Sequence, residues 1–270
     1  MSAPTAETLA AALAPLRDAP GRAAILCDID GTLAPIVQRA EDARVPDRSA
    51  RLLGALARRY ASVACISGRS VAEARRLVGV GRVTYAGSHG AELLEPGATT
   101  AALDPAFSAW GERARQFAAD HDSTESRMLR IRIEDKGPIV AFHWRGAPDE
   151  EAARGRLDVV ARAAEASGFD VHWGRKVLEA RPPLNFDKGD AVRQLVRRTG
   201  VRTALFGGDD TTDLDAFAAL SELADEGGLD ATVLVGVRSE EGPAEIIERA
   251  DLVVEGVSGF AEVLEALAQP

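Results

Sequence analysis

Two carboxylates stand one residue apart in the segment Asp28-Ile29-Asp30-Gly31-Thr32, directly after the apolar run at residues 23–27. A short, uniformly apolar run is typical of a strand that is buried on both faces of a parallel sheet. Two carboxylates crowded at a strand end repel each other unless they share a proton or a cation. Because Mg²⁺ prefers oxygen ligands and leaves room for a substrate phosphate, the pair indicates a magnesium site. A strand-end turn without chemistry is the alternative.

Polar side chains also follow other predicted strands: Ser67 with Gly68, His89, and Asp209 with Asp210 and Asp213. In open parallel sheets the ligand lies beyond the carboxyl ends of the strands, so we expect these groups to gather at one edge. There Asp28, Asp30 and Asp209 could hold Mg²⁺ together with water and a phosphate oxygen. Ser67 and Gly68, at the start of a helix, could present a hydroxyl and free N–H groups to an anion. Ordinary helix capping is the alternative for the Ser67 and Asp209 segments.

Lysine is rare in this chain, since only three of the 32 basic residues are lysine, namely Lys136, Lys176 and Lys188. In a sequence so rich in arginine, a lysine indicates a place for a compact ammonium that a planar guanidinium would not fit. Three chance lysines on a solvated surface are the alternative. Lys188 opens a predicted helix, where a positive charge opposes the helix dipole. This position indicates a negatively charged group in front of Lys188.

The elements that must position these residues alternate between strand and helix in the first and last parts of the chain. Buried strands are predicted at 23–27, 62–67, 83–86, 203–206, 231–235 and 252–254, with helices at 5–16, 46–60, 71–78, 188–199, 214–223 and 257–268. This alternation predicts an α/β fold with a Rossmann-like, doubly wound parallel sheet.

The pattern changes in the middle of the chain, where helices accompany antiparallel strands. Helices are predicted at 107–121 and 148–167, and strands at 128–134, 139–144, 170–173 and 176–180. We therefore predict a core made of residues 1–104 and 183–270, and an inserted α+β domain at residues 105–182.

The composition limits the classes of partner. At 270 residues and 46% hydrophobic content the chain can build a sizeable core, and its formal charge of −10 disfavours nucleic acid and anionic membranes as partners. Cys27 and Cys65 both lie in apolar runs, which favours small core residues in a reducing compartment over a disulfide framework. The N-terminal region resembles neither a signal peptide nor a membrane span. We expect a cytoplasmic protein that is a monomer or a weak dimer.

The four polar segments resemble the motifs of the haloacid dehalogenase superfamily of phosphotransferases, which occur here in the same order: residues 28–32, Ser67, Lys188 and residues 208–210. The resemblance implies that Asp28 attacks phosphorus, forms an aspartyl-phosphate and binds Mg²⁺. It implies that Asp30 is the general acid and then the general base, and that its backbone carbonyl binds the metal.

The same resemblance assigns roles to the remaining motif residues. Ser67 and Lys188 hold the phosphoryl oxygens, with Gly68 beside them, and Asp209 binds the metal. Asp210 and Asp213 orient Lys188 and the metal's waters. The inserted domain corresponds to a cap over the active site, which would select the substrate.

A more specific resemblance, to the trehalose-6-phosphate phosphatases, lies in residues 87–92, 134–136, 143–145, 176–182 and 208–213. It implies hydrolysis of a small sugar phosphate, trehalose 6-phosphate, to trehalose and phosphate. The substrate contacts that it implies are Arg69, His89, Lys136, Lys176, Glu179 and Arg181. Charged side chains of this kind can pair with several sugar hydroxyls. A solvated charged face is the alternative for the Lys176 to Arg181 cluster.

Three other functions stay open from the sequence. A capped phosphatase for a related sugar phosphate, such as glucosyl- or mannosyl-3-phosphoglycerate, would use the same core. A phosphomutase would also use it but must protect its phosphorylated intermediate from water. A sugar-phosphate sensor without activity would not need to keep Asp28, Asp30, Lys188 and Asp209, all of which are present.

Overall fold

The computed structural model describes residues 4–37, 42–174, 176–184, 186–239 and 242–269. Its contacts divide the chain into two compact units, one formed by Met1–Ala102 with Phe186–Pro270 and one by Leu103–Asn185. These bounds differ by two or three residues from those of the predicted insert at 105–182. That the second unit acts as a cap stays a prediction.

The described residues form the following helices and strands. The helices are α1 Ala6–Asp18, α2 Asp47–Leu56, α3 Val71–Val78, α4 Pro105–His121, α5 Thr124–Met128, α6 Glu150–Ala166, α7 Lys188–Thr199, α8 Asp213–Asp225, α9 Ala244–Arg249 and α10 Gly256–Ala268. The strands are β1 Ala23–Cys27, β2 Ser62–Ile66, β3 Thr84–Gly87, β4 Glu92–Leu94, β5 Ala102–Leu103, β6 Arg132–Lys136, β7 Ile139–His143, β8 Asp170–Gly174, β9 Val177–Arg181, β10 Thr203–Gly208, β11 Ala231–Arg238 and β12 Leu252–Glu255.

The first unit is built on a sheet with the strand order β12-β11-β10-β1-β2-β3-β4. The strands from β12 to β3 are parallel, and β4 is antiparallel to β3. The chain runs outward from β1 through β2 and β3 on one side, and through β10, β11 and β12 on the other. The carboxyl end of β1 is therefore the switch point of the sheet, where ligands of such folds bind.

Strand β1 is buried on both faces, as its apolar run predicts. Ile25 and Cys27 pack in a core that includes leucines of α1 and α2 and Phe260 of α10. Leu26, between them, packs in a second core with residues of α7 and α8 on the opposite face. Alternate side chains of one strand thus join two helical layers, which fixes the direction of the strand and the position of its end.

The second unit has an antiparallel sheet with the strand order β6-β7-β9-β8. One face carries Val140, Phe142, Leu178 and Ala180, which pack with buried residues of α4 and α6 in a third core. The strand register places polar residues on the other face, and among them are Glu134, Lys136, His143, His172, Glu179 and Arg181.

The predicted fold class is confirmed, and two helices match the predicted bounds, at 71–78 and 188–199. The prediction of a strand at 128–134 was wrong at its start, since residues 124–128 form α5 and β6 begins at Arg132. Ser123 caps that helix by accepting a hydrogen bond from the backbone N–H of Ser126 (3.1 Å), a local interaction that hydrophobic alternation does not reveal. The sequence also failed to predict the short elements β4, β5 and α9.

Among the residues that the structure describes, no helix is long enough and apolar enough to cross a membrane.

Gly207 tests how strand β10 packs against helix α10. A Cβ at this position would lie 2.1 Å from the ring of Phe260, which is fully buried. We expect Gly207→Ala to lower the free energy of unfolding by about 1–3 kcal/mol, because the ring cannot move aside in a close-packed core. Chemical denaturation measures this loss. Gly155→Ala is the matched control, since open space surrounds Gly155 in α6 and no loss is expected there. An unchanged Gly207→Ala protein would contradict the packing.

Candidate active site

Asp28 follows β1 directly and is held by the sheet. Its backbone N–H donates to the carbonyl of Gly207 (2.9 Å), and the residue is 4% exposed. The ammonium of Lys188 donates to Asp28 Oδ1 and to Asp213 Oδ1, both at 2.7 Å. One buried cation thus joins residues that are far apart in the sequence.

Lys188 is the first residue of α7, as the sequence predicts. Asp187 caps this helix by accepting a hydrogen bond from the N–H of Asp190 (2.8 Å). Burial alone would lower the pKa of Lys188, but Asp28 and Asp213 outweigh it and raise that pKa. The negative group expected in front of Lys188 is this pair of carboxylates.

Asp209 lies beside the turn that follows Asp28. Thr32 donates its hydroxyl to Asp209 Oδ1 (3.2 Å), and both side chains are buried. Gly31 has a φ of +87°, and a Cβ there would lie 2.0 Å from Asp209 Oδ2. Only glycine allows the backbone to approach this carboxylate so closely.

Asp213 is fully buried at the start of α8 and accepts hydrogen bonds on both carboxylate oxygens. Its Oδ2 accepts hydrogen bonds from the backbone N–H groups of Asp209 (2.9 Å) and Asp210 (3.0 Å), while its Oδ1 accepts from Lys188. These bonds fix the loop after β10 and the position of the Lys188 ammonium at once.

Asp28, Asp209 and Asp213 form a buried cluster that could hold a metal, with one carboxylate oxygen of each lying within 4.8 Å of the others. Burial is the largest cause that raises the pKa of Asp28 to about 8 and that of Asp209 to about 7. When the three carboxylates are ionised, Lys188 leaves two negative charges in excess. A divalent cation with a preference for oxygen ligands would balance them, so the residues fit Mg²⁺.

Ser67 and Arg69 stand at the carboxyl end of β2. The Ser67 side chain accepts a hydrogen bond from the N–H of Arg69 (3.1 Å), which leaves its own hydroxyl hydrogen available to an anion. Arg69 donates to both carboxylate oxygens of Asp30, from Nε at 2.6 Å and from Nη2 at 2.7 Å. The Asp30 carboxylate is therefore bound to Arg69, whereas the carboxylates of the buried cluster are those of Asp28, Asp209 and Asp213.

His89 lies in a turn with unusual backbone geometry. Ser88 and His89 both have positive φ, at 48° and 57°, which non-glycine residues rarely adopt. The turn is held by hydrogen bonds from Ser88 N to Arg69 O (2.8 Å) and from His89 N to Ser67 O (3.0 Å). A Cβ on Gly68 would lie 2.8 Å from His89 Nε2, so the imidazole packs directly over Gly68. Burial, followed by the charge of Lys188, lowers the pKa of His89.

A cavity of about 450 Å³ opens at this edge of the sheet. Its lining residues come from four loops and the first turns of two helices: Asp28, Asp30, Ser67, Gly68, Arg69, Glu73, His89, Lys188, Asp210 and Thr212. The structure thus brings together the predicted core residues, with Asp209 and Asp213 in contact with members of this set. The sequence did not predict that Glu73 and Thr212 line the cavity or that Thr32 binds Asp209. Thr32 had a signal, since its hydroxyl follows the flexible Gly31.

The second unit gathers part of the predicted sugar-contact set. Glu179 Oε1 accepts from Lys136 Nζ (3.1 Å), and its Oε2 accepts from Arg181 Nε (3.0 Å). Burial alone would raise the pKa of Glu179, but these two hydrogen bonds lower it overall. Lys176 lies in the turn before β9 and pairs instead with Glu150 of α6.

A second pair on this polar face was not singled out from the sequence. His143 and Glu134 lie 2.7 Å apart, from Nε2 to Oε2, on the adjacent strands β7 and β6. They are diagonal neighbours on one face of the sheet, because the register pairs His143 with Arg132 and Glu134 with Ala141. This register depends on where the hairpin turns. His172 is paired with Glu179 across β8 and β9 and extends the polar face further.

Comparisons with known proteins identify the family of this chain. A family model described as trehalose-phosphatase matches residues 26–245. The trehalose-phosphate phosphatase of Mycobacterium avium (strain 104) is 37% identical over 207 residues, which make up 73% of this chain and 51% of that protein. The chain therefore spans about half the length of this relative, and it spans a smaller share of some others.

Solved structures extend the comparison to the fold. A trehalose-6-phosphate phosphatase related protein has a TM-score of 0.62 and 25% identity, with 91% of this chain and 96% of that chain covered. A haloacid dehalogenase-like hydrolase from Bacteroides thetaiotaomicron has a TM-score of 0.56 at 14% identity, covers 90% and 98% of the two chains, and shares the fold. The resemblance seen in the sequence motifs is confirmed, because the family model covers most of the chain: this protein belongs to the trehalose-phosphatase family.

Proposed function

We propose that this protein is a Mg²⁺-dependent phosphatase that hydrolyses trehalose 6-phosphate to trehalose and phosphate through an aspartyl-phosphate on Asp28. The observation that carries the proposal is the buried ammonium of Lys188, bound to Asp28 and Asp213 beside Asp209 in a cavity lined by Ser67. A carboxylate, a fixed cation and a hydroxyl donor line one cavity, and this supports the proposal because transfer of a phosphoryl group needs a nucleophile and groups that stabilise charge.

In the proposed first step, an oxygen of Asp28 forms a bond to phosphorus while the bond from phosphorus to the sugar oxygen breaks. Asp30 donates a proton to the departing sugar oxygen. Lys188 and the Ser67 hydroxyl hold the phosphoryl oxygens, whose charge spreads in the transition state. In the second step Asp30 takes a proton from water, the water oxygen bonds to phosphorus, and Asp28 is released.

The carboxylates of Asp28 and Asp209, with the backbone carbonyl of Asp30, are the proposed ligands of Mg²⁺, and Asp210 and Asp213 orient the groups around it. When bound, the ion would neutralise phosphoryl charge and orient the phosphate. The buried cluster and its excess negative charge support this proposal.

Removal of the divalent cation gives a direct prediction. We expect a chelator to lower phosphate release by about 100-fold or more, because electrostatic stabilisation by a metal contributes several kcal/mol. A colorimetric phosphate assay measures the loss, and excess Mg²⁺ should restore the rate. Asp209→Asn should raise the Mg²⁺ concentration that gives half-maximal activity. Full activity in the chelator would show that the reaction does not need a divalent cation.

The residues proposed to recognise the sugar are among those that the sequence resemblance implies. They are Lys136, Lys176, Glu179 and Arg181 of the second unit, together with His89 of the first. The cluster around Glu179 supports this, because it presents two cations and one carboxylate on an exposed sheet face. The proposed partner is thus a small sugar phosphate, and the proposed compartment is the cytoplasm.

A panel of phosphate esters tests the substrate. Trehalose 6-phosphate, glucosyl-3-phosphoglycerate, mannosyl-3-phosphoglycerate and glucose 6-phosphate are compared by the kcat/KM of phosphate release. The proposal predicts the highest value for trehalose 6-phosphate. A higher value for either phosphoglycerate would assign a different sugar phosphate, and conversion to an isomeric phosphate without release would indicate a mutase.

A further inference from the structure

The contact between Arg69 and Asp30 has geometry that a simple substrate ligand would not need. The guanidinium donates through Nε and Nη2 to the two carboxylate oxygens separately, at 2.6 and 2.7 Å. A planar fork that binds both oxygens fixes the plane of a carboxylate as well as its position. Each oxygen keeps a further lone-pair site for a proton on the side away from the guanidinium.

Arg69 itself is anchored through its backbone at both ends. Its N–H donates to the side chain of Ser67, and its carbonyl accepts from the N–H of Ser88. The absence of a side chain at Gly87 permits this packing, since a Cβ there would lie 2.9 Å from the Arg69 carbonyl. The Arg69 side chain is 15% exposed, whereas that of Asp30 is 34% exposed. Arg69, the better buried partner, is thus held in place by backbone hydrogen bonds. Asp30 is the more exposed partner in the cavity that both residues line.

We propose that Arg69 is a positioning residue that fixes the carboxyl group of Asp30 for proton transfer to the departing sugar oxygen. The inference rests on the proposed function, because it needs Asp30 as the general acid. It differs from the sequence-based prediction that Arg69 binds substrate. A positioned acid matters most for a leaving group that departs poorly without a proton, whereas a ligand of the phosphoryl group matters equally for every leaving group.

A series of substituted phenyl phosphates separates these roles. The leaving phenols differ in pKa, and the esters carry the same phosphoryl group and no sugar. The value of kcat/KM reports the steps up to departure of the phenol, so the later role of Asp30 in hydrolysis does not enter when that departure is irreversible. The measured quantity is the slope of log kcat/KM against the pKa of the phenol, for wild type, Arg69→Gln and Arg69→Lys.

We expect both variants to show a steeper slope than wild type, with about a 100-fold loss on trehalose 6-phosphate and a loss of less than about 5-fold on 4-nitrophenyl phosphate. Lysine should fail to rescue because it cannot bind both oxygens in a fixed plane. Asp30→Asn should show the same steep slope, and adding Arg69→Gln to it should cause little further loss, since the two residues act together.

Two outcomes would overturn the inference. A uniform loss across the phenyl series with an unchanged slope would make Arg69 a ligand of the phosphoryl group. An unchanged phenyl series with a loss on the sugar phosphate alone would make it a sugar contact. Arg202→Gln is the matched control, because Arg202 also pairs with a carboxylate but lies before the first residue of β10, at the opposite end of that strand from Asp209. Failure of the proposed function looks different, since wild type would then release no phosphate from trehalose 6-phosphate.

Discussion

Replacing Asp28 with asparagine is expected to lower phosphate release from trehalose 6-phosphate by about 10⁴-fold or more, because a neutral amide cannot form the bond to phosphorus. The amide keeps the shape of the carboxylate and can still accept the hydrogen bond from Lys188. Burial raises the pKa of Asp28 to about 8, so its charged form is costly in the folded protein. We therefore expect the melting temperature to stay within a few degrees of the wild-type value.

The rate and the melting temperature must be measured on the same preparation, so that a loss of activity can be distinguished from unfolding of the variant. Asp225→Asn is the control, since Asp225 is exposed at the end of α8 and should keep full activity and stability. An Asp28→Asn protein that is folded and retains more than about a hundredth of the activity would exclude Asp28 as the nucleophile.

Replacing Lys188 with methionine is expected to lower both the activity and the stability of the protein. Methionine has a similar length but no charge, so Asp28 and Asp213 lose the cation that they share. We expect kcat to fall by about 10³-fold, because a fixed donor to the phosphoryl oxygens is lost. We also expect the free energy of unfolding to fall by about 3–5 kcal/mol, since buried carboxylates are left without their partner.

The stability loss should depend on pH in a defined direction. A carboxyl group whose pKa is higher in the folded protein than the usual 3.8 destabilises the fold increasingly as the pH rises, up to its folded pKa. In wild type, without metal, this effect levels off above about pH 8. Lys188 lowers the pKa of Asp28, so its removal moves that limit upward. The difference in melting temperature between wild type and Lys188→Met should therefore be larger at pH 9 than at pH 7.

A double variant supplies the control for this prediction. Lys188→Met combined with Asp213→Asn removes one cation and one of its two carboxylate partners, so it should recover part of the lost stability but none of the activity. A difference in melting temperature that is equal at both pH values would show that Lys188 does not govern the ionisation of Asp28.

The core of the site was predictable because its residues follow strands. A buried apolar run ending in polar residues locates a strand end, and the rules of parallel sheets bring such ends together. The rarity of lysine also indicated Lys188, which is 3% exposed between two carboxylates. The side chains of Lys136 and Lys176 are about 40% exposed, and their contacts with the substrate stay a prediction.

The specific pairings were not predictable, because they depend on distances between loops. The sequence does not show that the two carboxylates of the Asp28-Ile29-Asp30 segment turn to different partners, one to Lys188 and one to Arg69. Nor does it show that Asp213, expected to orient Lys188, would also lie with Asp28 and Asp209 in one cluster. In the second unit, the hydrogen bond between Glu134 and His143 depends on a strand register that the position of the hairpin turn determines.

Rapid acid quenching with trehalose 6-phosphate that carries a radioactive phosphoryl group tests the central claim most directly. If Asp28 is the nucleophile, a protein-bound label appears before phosphate is released, lies on the peptide containing Asp28 and is absent from the Asp28→Asn variant. Hydrolysis of trehalose 6-phosphate without any label on the protein, or with label on another residue, would contradict the account.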